Sequence, residues 1–185
     1  MKNLLSVPIL IFLILVTFGC SSDSSSDDVD SEPGVANLSA LINGNLLSLQ
    51  NSTESDAQSV TGGYYVSNNI FTFSIASGGT FNYGIEGVAF SVGGEDFSII
   101  EDGFEMTLTN NSGLSFYGGY SLIVDGEETA IGPFTTQSAY LKINSINKNT
   151  KIVSGEFAFT LVNNQTNEQY VISNGVFNNV EYTTE

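Results

Sequence analysis

The chain has 185 residues, enough for one domain of ordinary size and too few for a multidomain assembly. Only 13% of the residues are charged, but 20 acids stand against 4 lysines, and a formal net charge of -16 repels phosphate backbones and excludes nucleic acid as a partner. With no histidine, no tryptophan and a single cysteine, the sequence lacks imidazole bases, His-ligated metal and thiol pairs, and most catalytic chemistry goes with them.

The first element in chain order is residues 1–19. Lys2 and the free amine precede an apolar run, Ile9-Leu10-Ile11-Phe12-Leu13-Ile14-Leu15-Val16, that closes on Thr17-Phe18-Gly19-Cys20. This is the pattern of an export signal. The uncharged stretch from Asn3 to Gly19 falls short of the roughly 20 residues a spanning helix needs, and Ser21, Ser22 and Asp23 are not the basic flank of a stop-transfer segment. The Gly19-Cys20 step resembles the lipobox of bacterial lipoproteins. That resemblance implies that the Cys20 sulfur receives diacylglycerol, that the chain is cut after Gly19, and that the new amine is acylated. Acyl chains bury at about 0.8 kcal/mol per CH2, and two or more make the attachment permanent, so the membrane is the first expected partner. Loss of Lys2 with the leader leaves Lys142, Lys148 and Lys151 against 20 acids, a balance that holds the domain off an anionic leaflet.

Residues 20–34 carry the lipidated Cys20 and then SSDSSSDDVDSEPG, with one aliphatic residue and no aromatic. Nothing in this stretch offsets the entropy of ordering it, and as a flexible coil its 14 residues span about 20 Å. A Ser/Asp-rich run directly after the lipidated cysteine resembles the tethers of Bacteroidetes lipoproteins. The resemblance implies an outer-membrane protein displayed on the cell surface.

Residues 35–185 read as a single all-β domain, because the apolar residues recur with period two and are punctuated by turn dipeptides. Asn43-Gly44 between Ala40-Leu41-Ile42 and Asn45-Leu46-Leu47 predicts a type I' hairpin, in which both central residues need positive φ. Tyr64 to Ile75 predicts a second hairpin about Asn68-Asn69, with Phe71, Phe73 and Ile75 on the core face. Further strands are expected over Ile85–Val92, Phe104–Thr109, Tyr120–Val124, Tyr140–Ile146, Val153–Val162, Tyr170–Ser173 and Val176–Tyr182. Gly78-Gly79, Gly93-Gly94, Asn111-Ser112-Gly113, Asp125-Gly126 and Asn174-Gly175 are read as the breaks between them. About ten short strands without helix specify an antiparallel β-sandwich or a flattened β-barrel, and the sequence does not choose between the two.

The hairpin Ala-Leu-Ile-Asn-Gly-Asn behind a lipoprotein tail, then Ile152-Val153-Ser154-Gly155-Glu156-Phe157-Ala158-Phe159 and Val171-Ile172-Ser173-Asn174-Gly175-Val176-Phe177-Asn178, resembles a group of small Bacteroidetes lipoproteins of unknown function. The motifs are strand and turn residues, so the resemblance implies architecture and carries over no site.

Two constellations are candidates for function. Tyr64, Tyr65, Tyr117 and Tyr120, with Phe116 and Gly118-Gly119 nearby, offer aromatic faces on which a sugar could stack beside the many Asn amides; strand aromatics also serve as core and cross-strand pairs. Asp125, Glu127 and Glu128 supply turn oxygens of the kind a structural calcium ion takes, although no run fits the EF-hand pattern. Carboxylates facing each other across a cleft at about 5–10 Å would serve glycoside hydrolysis. Adjacent acids on a strand point to opposite faces, however, and the acidic clusters at Glu95-Asp96, Glu101-Asp102 and Asp125 to Glu128 coincide with turn signals. The sequence therefore predicts a non-enzymatic, lipid-anchored envelope protein, a binding or structural surface module without a cofactor beyond its covalent lipid. A glycan-binding accessory lipoprotein and a paired-carboxylate hydrolase remain as alternatives; the partner, glycan or envelope protein, and the oligomeric state are not legible.

Overall fold

The computed structural model describes residues 34–51, 58–111, 113–130 and 133–184. Eleven strands make up most of the described backbone: β1 (Asn37–Ile42), β2 (Asn45–Gln50), β3 (Gln58–Ser67), β4 (Ile70–Phe81), β5 (Gly84–Gly94), β6 (Glu105–Thr107), β7 (Ser115–Val124), β8 (Glu127–Ala130), β9 (Phe134–Asn147), β10 (Ile152–Asn163) and β11 (Gln169–Thr184). The strands form a β-sandwich. One layer runs β6-β9-β10-β11-β1-β2 and the other β3-β4-β5-β7-β8, each antiparallel within itself.

Local chemistry sets the hairpins. Asn43 and Gly44 both take positive φ, 50° and 86°, as the type I' turn requires, and Asn68 and Asn69 do the same at 52° and 61°. Period-two alternation then turns Phe71, Phe73 and Ile75 of β4 and Phe157, Phe159 and Leu161 of β10 into the space between the layers, where all six are buried. Rings from the two layers meet there: Phe90 lies 5.1 Å from Phe157, Phe116 5.6 Å from Phe159, and Phe73 5.4 Å from Tyr182. Each such side chain contributes roughly 1.5–3 kcal/mol through burial. Space for the rings is made across the strands. Gly155 faces Phe177 and Gly175 faces Phe157 in the β10–β11 register, and a Cβ on Gly175 would meet the Phe157 ring at 2.7 Å.

The seams between the layers are built differently from the sheets. β11 is long enough to serve both layers, since its residues Tyr182–Thr184 pair in parallel with Gly62–Tyr64 of β3. Beside that junction the Asn51 side chain imitates a peptide group, its Nδ2 donating to the Val60 carbonyl and its Oδ1 accepting from the Val60 N–H. On the opposite side, no ladder joins β7 to β9; the Gly118 N–H donates to Thr136 Oγ1 at 3.1 Å. The structure is thus an unclosed sandwich, not a barrel.

Two of the expected breaks are continuous strand, while Gly93-Gly94 ends β5 as expected. Gly78-Gly79 lies inside β4. Tyr170–Ser173 and Val176–Tyr182 belong to the single strand β11, which carries a bulge where Asn174 adopts φ 50° and the register shifts against both neighbours. Glu127 and Glu128, read as part of a turn, open the short edge strand β8.

Candidate functional site

The outward face of β3-β4-β5-β7 is the most distinctive surface of the described residues. In-register pairing without a bulge places its side chains in ranks across the four strands. One rank is Tyr65, Thr72, Gly93 and Ser115, and the next is Gly63, Ser74, Ser91 and Tyr117. Beyond these come Thr61, Ala76, Ala89 and Gly119, then Ser59, Gly78, Gly87 and Ser121. No side chain in the four ranks is larger than threonine except the two tyrosines, which stand up from the face at 46% exposure for Tyr65 and 66% for Tyr117. None of the sixteen is charged. In a sequence with 20 acids, these four strands hold one charged residue, Glu86, and it belongs to the opposite, inward face.

The four tyrosines singled out from the sequence therefore divide in two. Neighbours along a strand face opposite ways, so Tyr64 turns inward where Tyr65 turns outward, and its ring sits 4.4 Å from Phe97 and 6.5 Å from Phe71. Tyr120, an odd number of residues from Tyr117, also turns inward and is 7% exposed. Its hydroxyl donates to Glu86 Oε1 at 2.7 Å, while that of Tyr83 donates to Glu86 Oε2 at 2.6 Å. Burial, followed by this hydrogen bond and the Glu86 charge, holds the Tyr120 phenol far above its ordinary range; the same causes push Tyr83 up to about 12. The Tyr120 ring packs at a tilt 5.1 Å from that of Tyr170, whose hydroxyl donates to Glu168, so the phenols bridge the two layers. Both Glu86 oxygens are occupied, which makes this carboxylate a fixed acceptor.

The acidic turn follows β7, next to the β4–β5 hairpin. Asp125 takes φ 52° beside Gly126, and Asp125, Glu127 and Glu128 are exposed at the β7–β8 hairpin and on the edge strand. Among the described residues no three His, Cys, Asp or Glu side chains come together as metal ligands. Elsewhere Lys142 reaches Glu105 at 3.2 Å, and this partner raises its pKa. The expected cleavage at Gly19, the lipidation of Cys20 and the acidic tether lie outside the described residues.

The uncharged face was not singled out in the sequence, although its signal is there: from Gln58 to Gly94 and from Ser115 to Val124 only Glu86 is charged, in a chain that is otherwise strongly acidic. Fold and face together define a β-sandwich with one low-relief, hydroxyl-bearing surface. Comparison with protein-family models, with curated proteins and with solved structures returned no match.

Proposed function

We propose that the chain is a non-catalytic binding module of the cell envelope, held to the outer membrane through acylated Cys20 and displayed at the cell surface. The observation that carries this reading is the uncharged face with Tyr65 and Tyr117 upright on it, since charge depletion around aromatic residues is the compositional signature of a recognition surface. The Gly19-Cys20 step and the Ser/Asp tether support the anchor. A second reading, capture of polysaccharide, is favoured by the combination on one face of ring faces with the hydroxyls of Thr72, Ser74, Ser91 and Ser115.

The anchor is tested by growing cells expressing the full chain with radiolabelled palmitate. Label is expected in the wild-type chain and in the membrane fraction, and a Cys20→Ala variant is expected to lose both. An unlabelled wild-type chain, or a Cys20→Ala chain that stays on the membrane, refutes the reading.

A further inference from the structure

Glycine in the interior of a strand weakens it, so each one asks for a reason: a positive φ, a ring packed above it, or something that approaches the backbone from outside. Gly118 has a structural reason, because a Cβ there would lie 2.6 Å from the Phe159 ring. Gly78 and Gly119, on the outward face, have none. Neither has a positive φ, and an added Cβ would meet nothing closer than a carbonyl oxygen at 3.8 Å and 3.9 Å respectively, which is ordinary contact. They lie in adjacent ranks, with Gly119 two residues along β7 from the upright Tyr117. Two glycines that the fold does not need, one of them beside the exposed Tyr117, on a face without charge, indicate a ligand that comes down onto the sheet itself.

Extending the recognition role proposed above, we propose that this face binds an uncharged polysaccharide presented as a broad solid surface. The net charge of -16 disfavours anionic polymers, and a face without carboxylates has nothing with which to pair a cation. Hydroxyls on the strands and tyrosine rings that can stack on sugar rings match a neutral, hydroxylated partner. Tyr65 on β3 and Tyr117 on β7 are three strand spacings and one rank apart, about 16 Å, and no side chain between them rises into the wall of a groove. Such a face contacts a single soluble chain on one side only, whereas neighbouring chains of a solid engage both rings and the low ground between them.

The test uses the mature lipidated chain in detergent micelles, sedimented with microcrystalline cellulose and with chitin powder. The wild-type chain is expected to pellet with at least one of the two solids. Tyr65→Ala combined with Tyr117→Ala should lower retention at least tenfold, and Gly119→Val should do so with an unchanged melting temperature. Leu46→Ala, which alters an exposed side chain of the other layer, should leave retention unchanged. Failure of the wild-type chain to pellet with either solid, or full retention by Gly119→Val, overturns the inference while palmitate labelling continues to report on the anchor. Sedimentation of the Cys20→Ala chain as a dimer that Gly119→Val dissociates would give the face to a second copy and likewise overturn it.

Discussion

Gly118 and Gly119 are chain neighbours that lack a side chain on opposite faces of one strand, and their substitutions should diverge. Gly118→Ala drives a methyl group into the Phe159 ring and should cost about 1–3 kcal/mol by overpacking. Gly119→Ala meets no obstacle and should leave stability unchanged or raise it by about 0.4–1 kcal/mol, since it restricts only the unfolded chain. Urea unfolding of the two variants measures the difference, and equal destabilisation would mean that Gly119 is structural after all. At the same scale, the phenols bound to Glu86 make stability depend on alkaline pH. An unfolded tyrosine ionises near 10.0, whereas Tyr83 keeps its proton to about 12 and Tyr120 to higher pH still. The unfolded state therefore loses protons first. The stabilisation is complete below pH 10 and is lost as pH climbs through about 12 and beyond. A Tyr83→Phe, Tyr120→Phe double variant should show a shallower fall of unfolding free energy above pH 10 than the wild-type chain; an identical slope would place the titrating groups elsewhere.

Among the elements, period two was a dependable guide to which residues face the core, because a strand has only two faces and Phe71, Phe73 and Ile75 or Phe157, Phe159 and Leu161 fill one of them completely. Glycine was a mixed guide to where strands end: Gly93-Gly94, Gly113 and Gly126 fall at strand ends or turns, whereas Gly78-Gly79 and Gly175 lie inside strands. Gly175 makes room for Phe157 and Gly118 for Phe159, so a strand glycine can mark a neighbouring ring instead of a turn. Asn174-Gly175 looks like a hairpin turn in one dimension, yet β10 and β1 hold the strand on both sides and convert the extra residue into a bulge. The parallel junction of β11 with β3 had no local signal, because its partners are separated by most of the domain. The same parity that identified the core could have parted Tyr64 from Tyr65 and Tyr117 from Tyr120. What it could not supply is the ranks, which depend on how β3, β4, β5 and β7 align.

For the whole molecule, the dominant feature is unbalanced charge. Acids crowd the turns, and 20 of them stand against only 4 lysines, so mutual repulsion opposes compactness. Raising sodium chloride from about 0.01 M to about 0.15 M shortens the screening length from roughly 30 Å to roughly 8 Å and should raise the melting temperature by about 2–4 °C. A melting temperature indifferent to salt would show the acids to be too far apart to repel. The same excess of acid explains why one face can be set apart by neutrality alone: against this background sixteen uncharged residues in register form a distinct patch without any basic residue.

The long strand that serves both layers also governs when the fold can exist. Asn37 of β1 bonds to Asn178, 141 positions further on, and β3 likewise waits for Tyr182 to Thr184 before its outer edge is covered. Pairings of such separation form late and slowly. β1 and β2 can pair early as a local hairpin, but β11, which joins both layers, is complete only when nearly the whole domain has been synthesised, so a nascent polypeptide of this design cannot close its sandwich before its last strand has emerged.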